Sequence, residues 1–284
     1  MGSSDAAHLA RLRAQILNSK DLPTIPVLLA RILAVVDGER TPARDLLEVM
    51  QRDQALTGRV LRLANSGFFG FSREVATLPR AVMILGFSAV RSLALGVKIW
   101  ETMRGRDGLS LTELWEHSAL VGAAARLIAR RVHAADPEEI FTAGLLHDVG
   151  RAVLNLRFPA EYAVVSAASG VDLLERERAA FGVDHAQAGA WLAEAWSLPE
   201  SIVEAAASHH QPITPGTPLG AAVIVNLANR LVHWTDLDGG AIEPDAERLL
   251  QGIGDGLSFA AWVEIAVLLQ GQKGDLREFF GAEP

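Results

Sequence analysis

His147 and Asp148 stand side by side in "AGLLHDVGR", Ala143 to Arg151, among residues that would otherwise build an ordinary apolar helix. Three more stretches of the second half carry histidine in the same kind of setting. His117 lies in "LWEHSALVGAAARLIA", His185 in "GVDHAQAGAWL", and His209 and His210 are adjacent in "AAASHHQP". Imidazole nitrogens and a carboxylate converging from four helices suit a borderline divalent ion such as Mn, Fe, Ni or Zn, with positions left open for water. A lone histidine on an apolar face is usually a packed, hydrogen-bonded residue. Here five of the chain's eight histidines fall in one ordered set, which shifts the balance towards a shared site. The chain has no cysteine, so any metal would rest on His, carboxylate or water.

The elements that would carry these groups read as helices throughout. Half of the 284 residues are apolar and only 6% aromatic, a balance that favours helix over sheet. Thr41-Pro42, Asp136-Pro137 and Pro199 with Glu200 place a capping side chain or a proline at helix starts. Between such points apolar residues recur at three and four, and no segment sustains strand alternation. The spacing predicts short amphipathic helices in "IPVLLARILAVV", "RDLLEVMQRD" and "ALTGRVLRLANS", followed by "LPRAVMIL" and "FSAVRSLALGVKIWETM". Further helices are predicted near 111–131, 137–156, 172–180, 184–196, 199–210, 217–234, 244–252 and 258–280. Two glycines and mixed charges at Arg104 to Ser110 separate two apolar blocks, dividing an all-α chain into helical subdomains at 1–108 and 109–284.

Charge and hydropathy remove several function classes. The net charge is −8 and no Lys/Arg run is long enough to act as a nucleic-acid arm, which argues against DNA or RNA as the main partner. The N-terminal "MGSSDAAHLARLRAQIL" lacks the basic start and continuous apolar core of a signal peptide. The longest apolar region, Ala81 to Trp100, is interrupted by Arg91 and Lys98, costly groups at bilayer depth, and reads as buried helix rather than a membrane span. With no cysteine, these features fit a cytoplasmic protein.

The order His, His-Asp, His, His-His resembles the HD superfamily of metal-dependent phosphohydrolases, and within it the cyclic-dinucleotide phosphodiesterase branch with a Gly-Tyr-Pro signature. The resemblance implies His117, His147, Asp148, His185 and His209 or His210 as metal ligands, with Asp148 bridging two ions. It also marks departures. The family's last ligand is an Asp, and the matching stretch "VIVNLANRL" offers Asn229, a neutral oxygen donor that holds a divalent ion more weakly. Arg151 stands where the enzymes carry Lys, and "QPITPGTP" follows His210 with no Gly-Tyr-Pro.

The first third resembles the HDOD family, the HD-related output domain. Leu22, Pro23, Pro26, Asp53, Leu56, Ala64, Asn65, Ser66, Ala81, Leu85 and Gly86 match its pattern in order, and the likeness extends from about 20 to 235. It implies an N-terminal helical subdomain packed on an HD-like one, and a bacterial signal-transduction output module, non-catalytic, that acts by binding signalling proteins or a nucleotide. The alternative is a metal-dependent phosphohydrolase or cyclic di-GMP phosphodiesterase, in which a metal-activated hydroxide attacks phosphorus and Arg151 steadies the phosphate. Arg151 equally fits a role neutralising Asp148 or a nearby Glu.

Local readings accompany these. Pro23 and Pro26 fix an extended entry to a helix, Asp53 can cap the next one, Gly86 permits a close crossing or tight turn, and Asn65-Ser66-Gly67 is a helix exit. The phenylalanines of "SGFFGFS", Phe68, Phe69 and Phe71, either plug the core or form an apolar contact patch.

Overall fold

In the computed structural model, which describes residues 3–17, 27–34, 42–65, 75–103, 111–133, 136–167, 170–214, 216–236, 250 and 257–281, the apolar spacing at three and four becomes helix. The first third carries α1 (Ser3–Leu17), α2 (Val27–Ala34), α3 (Pro42–Gln51), α4 (Gln54–Ala64), α5 (Leu78–Leu85) and α6 (Phe87–Met103). Then follow α7 (Leu111–Val132), α8 (Pro137–Leu146), α9 (Val149–Arg157), α10 (Pro159–Val165), α11 (Gly170–Phe181), α12 (His185–Ala195), α13 (Glu200–Ser208), α14 (Ala221–Asp236) and α15 (Phe259–Gly281). No strand occurs among the described residues, so the fold is all-α.

Short polar side chains start these helices by accepting the first free backbone N–H groups. Asp136 accepts from Glu138 N at 2.9 Å ahead of Pro137, and Asp184 accepts from Gln187 N at 2.9 Å. Asp53 caps α4 through Leu56 N at 2.9 Å, as its position suggests. Gly86, at φ 89°, makes the turn between α5 and α6 that a residue with a Cβ would strain to adopt. Asn65 closes α4 with a bond from Nδ2 to Leu61 O. It also reaches Val75, donating to its carbonyl at 3.0 Å and accepting from its N–H at 2.6 Å.

Several elements differ from the sequence reading, and the helix expected over 217–234 begins only at Ala221. The helix expected over 137–156 is two helices, α8 and α9, broken at His147 and Asp148. The chain also forms α1 and α10, which the sequence spacing does not single out. Of the helix expected over 244–252, only Leu250 is among the described residues. Leu22, Pro23, Pro26, Ser66, Gly67, the "SGFFGFS" phenylalanines and the Arg104–Ser110 break lie outside them.

One connected apolar core runs from Leu12 on α1 through α6, α7 and α8 to Leu269 on α15. The helix α7 is its centre, packed against α8, α14 and α15. On the other side of α8, α6 closes the core, and Trp100 on α6 donates its indole N–H to Leu145 O at 3.1 Å. Both ends of the chain cross between its halves: α1 lies on α9 and α12, and α15 reaches α4. No helix among the described residues is long and apolar enough to cross a membrane.

Candidate metal centre

The His-Asp pair sits where the helix stops. His147 ends α8 in helical conformation, and Asp148 turns out of it at φ −97°, ψ 9°, before α9 begins. Asp148 thus holds the N-cap position of α9, yet its side chain makes no capping hydrogen bond. An aspartate that gives up its usual local partner has another use for its oxygens.

Two close helix crossings bring the other donors in. A Cβ on Gly150 would stand 1.9 Å from His185 O and 2.6 Å from Gly189 N, so only glycine lets α9 touch α12 and set His185 beside Asp148. A Cβ on Gly144 would stand 2.8 Å from the Cα of Gly122, and this contact of α8 with α7 sets His117 beside His147, ring centroids 5.4 Å apart. His209 and His210 follow the last turn of α13, with His209 5.5 Å and His210 5.0 Å from His185 between ring centroids.

Asp148 Oδ1 is the point of convergence. His185 Nε2 lies 3.2 Å from it, His209 Nε2 3.3 Å and His147 Nε2 3.6 Å. Each of these imidazoles is oriented from behind. His147 Nδ1 donates to Gly144 O at 2.7 Å, and His209 Nδ1 to Ala206 O at 2.9 Å, which turns each Nε2 towards Asp148. His185 Nδ1 donates to Glu177 Oε2 at 2.6 Å. Fixing one nitrogen on a carbonyl or carboxylate while the other faces inward is the arrangement that orients histidines towards a metal.

The donors also fit an ion by their spacing and by what they lack. Metal–ligand bonds of about 2.1 Å at octahedral to tetrahedral angles set neighbouring donors roughly 3.0 to 3.5 Å apart. The observed separations fall in or just beyond that range. His147 Nε2, Asp148 Oδ1, His209 Nε2 and Asn229 Oδ1 are all buried and take no hydrogen bond from the protein. The first three of these face one another, which is costly without a cation or proton among them. Two overlapping groups could hold an ion: Asp148 with His185, His209 and His210, and Asp148 with His117 and His147.

Protonation follows from burial and neighbours. Burial pushes His147 well below its ordinary value, and burial with the nearby His209 and His185 takes His210 down to about 3, so both are neutral. His185 behaves oppositely. Burial would lower it, but Asp148 and Glu177 on its two sides outweigh that and raise it to about 9. Burial likewise opposes ionisation of Asp148, and the surrounding imidazoles, His147 and His185 foremost, hold it well below the usual carboxylate range. Arg151 donates from Nη1 to Asp148 Oδ2 at 3.3 Å, the neutralising arrangement, with its side chain one-fifth exposed.

The structure therefore gathers His147, Asp148, His185, His209 and His210 in one cluster, with His117 at its edge and Arg151 against Asp148. Asn229 is buried on α14, which packs on α7 and α8. The sequence reading missed three participants. Glu177 is fully buried on α11, accepting from Tyr162 Oη at 2.8 Å and from the His185 backbone N–H at 2.8 Å as well as from its ring. In "LLERERAAF" it looks like one more charge on a solvated face, though Tyr162 is the chain's single tyrosine and a visible oddity in a poorly aromatic sequence. His233 on α14 lies 4.8 Å from His117 between ring centroids, and its place one turn after Asn229 is legible in the sequence.

The HDOD domain profile matches residues 22–212, which include all five of the clustered and edge histidines and stop before α14 with Asn229 and His233. That range is shorter at its C-terminal end than the likeness read from sequence. An uncharacterized protein of Treponema pallidum is 24% identical over 221 residues, covering 76% of this chain, which spans only 43% of that relative's length. A solved structure from Shewanella amazonensis, provisionally named a phosphohydrolase, is 27% identical with a TM-score of 0.77, over 94% of this chain and 98% of the other. The MmoQ response regulator from Methylococcus capsulatus is 30% identical with a TM-score of 0.50, over 87% and 97%. With the profile running through most of the sequence and through the His-Asp cluster that the fold assembles, the chain belongs to the HDOD family.

Proposed function

We propose that this chain is a signal-transduction output module whose His/Asp centre binds a divalent ion, and through it an anionic ligand, without efficient turnover. The observation that carries the reading is the set of buried acceptors, His147 Nε2, His209 Nε2 and Asp148 Oδ1, turned towards one point and left without hydrogen bonds. His117, His147, Asp148, His185, His209 and His210 are the proposed ligands, with the Asn229 amide as a weak further donor. A bound ion would supply Lewis acidity and an attachment point for phosphate oxygens. The donor set, rich in imidazole, suits Zn, Fe, Ni or Mn.

Weak turnover follows from charge. Among the described residues Asp148 is the one carboxylate in the two donor groups, and Asn229 cannot add the second negative charge that firm binding of two ions draws on. Arg151 is committed to Asp148, so a phosphate would have to compete for it. The resemblance to a response regulator supports a place in signalling, with protein partners or a nucleotide as the binding counterpart. In this reading the part before residue 108 senses or relays the state of the HD-like part after 109 across the α6–α8 contact.

A second reading, a metal-dependent phosphohydrolase or cyclic-dinucleotide phosphodiesterase, draws on one observation: Asp148 belongs to both donor groups, the position of a carboxylate bridging two ions. Elemental analysis of the purified protein, followed by assay of cyclic di-GMP, its linear dinucleotide and a generic phosphodiester with added Mn, Fe or Ni, separates the two. Bound metal with negligible turnover is the expected result. Robust turnover abolished by His147→Ala would reverse the order, and activity gained only in Asn229→Asp would support it.

A further inference from the structure

Arg151 has more donors than Asp148 uses. Its Nη1 reaches Asp148 Oδ2 at 3.3 Å, long for a charged pair, and its Nε–H is buried without an acceptor. The guanidinium also stands against the hydroxyl of Tyr162. That hydroxyl gives its one proton to Glu177 Oε1 at 2.8 Å, so towards Arg151 its oxygen can only accept. The other Glu177 oxygen holds the ring and the backbone N–H of His185, at 2.6 and 2.8 Å, and His185 Nε2 returns to Asp148 Oδ1 at 3.2 Å.

Asp148, Arg151, Tyr162, Glu177 and His185 thus close a circuit carried by four successive helices, α9 to α12. Tyr162 and Glu177 are fully buried within it. The ring of Tyr162 stacks on Phe181 with centroids 6.0 Å apart, and Phe181 stacks on Phe158 at 4.9 Å. This apolar packing accounts for the ring but not for the hydroxyl, since a phenylalanine would fill the same place without burying a polar group. In a chain of ten phenylalanines and one tyrosine, the tyrosine stands where a cation meets a carboxylate.

Arg151 and a bound cation draw on the same group. Charge that Asp148 gives to a cation is no longer available to hold Arg151, and an anion drawn to Arg151 frees Asp148 for the cation. Tyr162 keeps the guanidinium in place when Asp148 lets go, and through Glu177 it keeps His185 aimed. We propose that Tyr162 is a positioning residue that couples the two sides of the centre, so that a phosphate on Arg151 and a divalent ion on His185 and Asp148 bind cooperatively. The proposal rests on the metal-binding reading above and deepens it: the anionic ligand is a phosphate that binds together with the ion and not in its place.

The test compares Zn affinity, by chelator competition, with and without inorganic phosphate, and checks Zn uptake by elemental analysis. In the wild type phosphate tightens Zn binding, and by linkage Zn tightens phosphate binding by the same factor. Tyr162→Phe keeps the ring packing, which its thermal unfolding checks, and lowers that factor about fivefold or more. Arg151→Lys keeps the charge but cannot fork between Asp148 and Tyr162, and adding Tyr162→Phe to it lowers the factor no further. A second measurement needs no substitution. Because the chain has one tyrosine, 3-fluorotyrosine labels Tyr162 alone, and its fluorine signal should move on Zn loading and again when phosphate follows. An unchanged coupling factor in Tyr162→Phe, losses that add in the double variant, or a fluorine signal unmoved while Zn is taken up would each overturn the proposal and leave the metal reading standing. So would Zn-loaded wild type that takes no phosphate. A wild type that takes up no Zn would overturn the metal reading itself.

Discussion

Glu177 carries a buried carboxylate that accepts from Tyr162, from the backbone of His185 and from its ring. It thereby fixes the direction of His185 Nε2 and adds negative charge behind that ligand. Glu177→Gln keeps the shape and removes the charge, and should weaken divalent-ion affinity about 10- to 100-fold, measured by competition against a chelator. Unchanged affinity would show that Glu177 is only packing. The same triad sets a pH dependence in chelator-treated protein. The folded-state value of His185 is raised from 6.5 to about 9, so its contribution to stability is fully present below pH 6.5 and is lost as the pH rises through 9. The melting temperature should fall over that interval, with a shallower fall in Glu177→Gln; a flat profile for the wild type would contradict the assignment. At this scale the sequence is partly legible. His147, Asp148, His185, His209 and His210 announce themselves because histidines are sparse and stand among apolar neighbours. Glu177 does not, because a charge that folds inward cannot be told from the exposed charges on either side of it.

The helices are legible wherever apolar period and capping residue agree, as at Asp53, Asp136 and Asp184. The break between α8 and α9 is not. "AGLLHDVGRAVLNL" keeps its helical period across the interruption, and what turns the backbone at Asp148 is tertiary: the contact of α9 with α12. Gly150 is the residue that permits this contact. Gly150→Ala would drive a methyl carbon into the His185 carbonyl 1.9 Å away, costing about 3 kcal/mol or more and abolishing metal uptake by parting Asp148 from His185. Gly58, inside α4, gives the contrast: a Cβ there would meet nothing within 4 Å. Gly58→Ala should stabilise by about 0.5 to 1 kcal/mol through helix propensity alone, without touching metal binding. Denaturant melts of the two variants check both signs, and a neutral Gly150→Ala would refute the close-crossing account.

Across the whole molecule, the core does not divide where the sequence composition does. It runs unbroken from α1 to α15, with α1 lying on α9 and α12 and α15 reaching back to α4. Sequence composition detects the change at Arg104 to Ser110 but carries no information on which distant helices cover which, and so the returns of both termini are invisible to it. A single connected core predicts one cooperative transition, with far-ultraviolet dichroism and tryptophan emission giving coincident curves. Two resolved steps would mean that the halves fold separately. A divalent ion bound to the native state alone should raise the midpoint with concentration, adding about 2.7 kcal/mol of stability at one hundred times the dissociation constant.

The indole of Trp100 donates to Leu145 O, two residues before His147, and its ring lies 5.4 Å from that of Trp115. Trp115 is itself two residues before His117. The protein therefore carries a pair of native fluorophores beside the donor group of His117, His147 and Asp148, Trp115 on the helix that bears His117 and Trp100 bonded to the helix that ends at His147. Their emission should report ion arrival without any attached dye, by quenching with Co or Ni and by a change in intensity with Zn, and the signal originates where the first part of the chain touches the second.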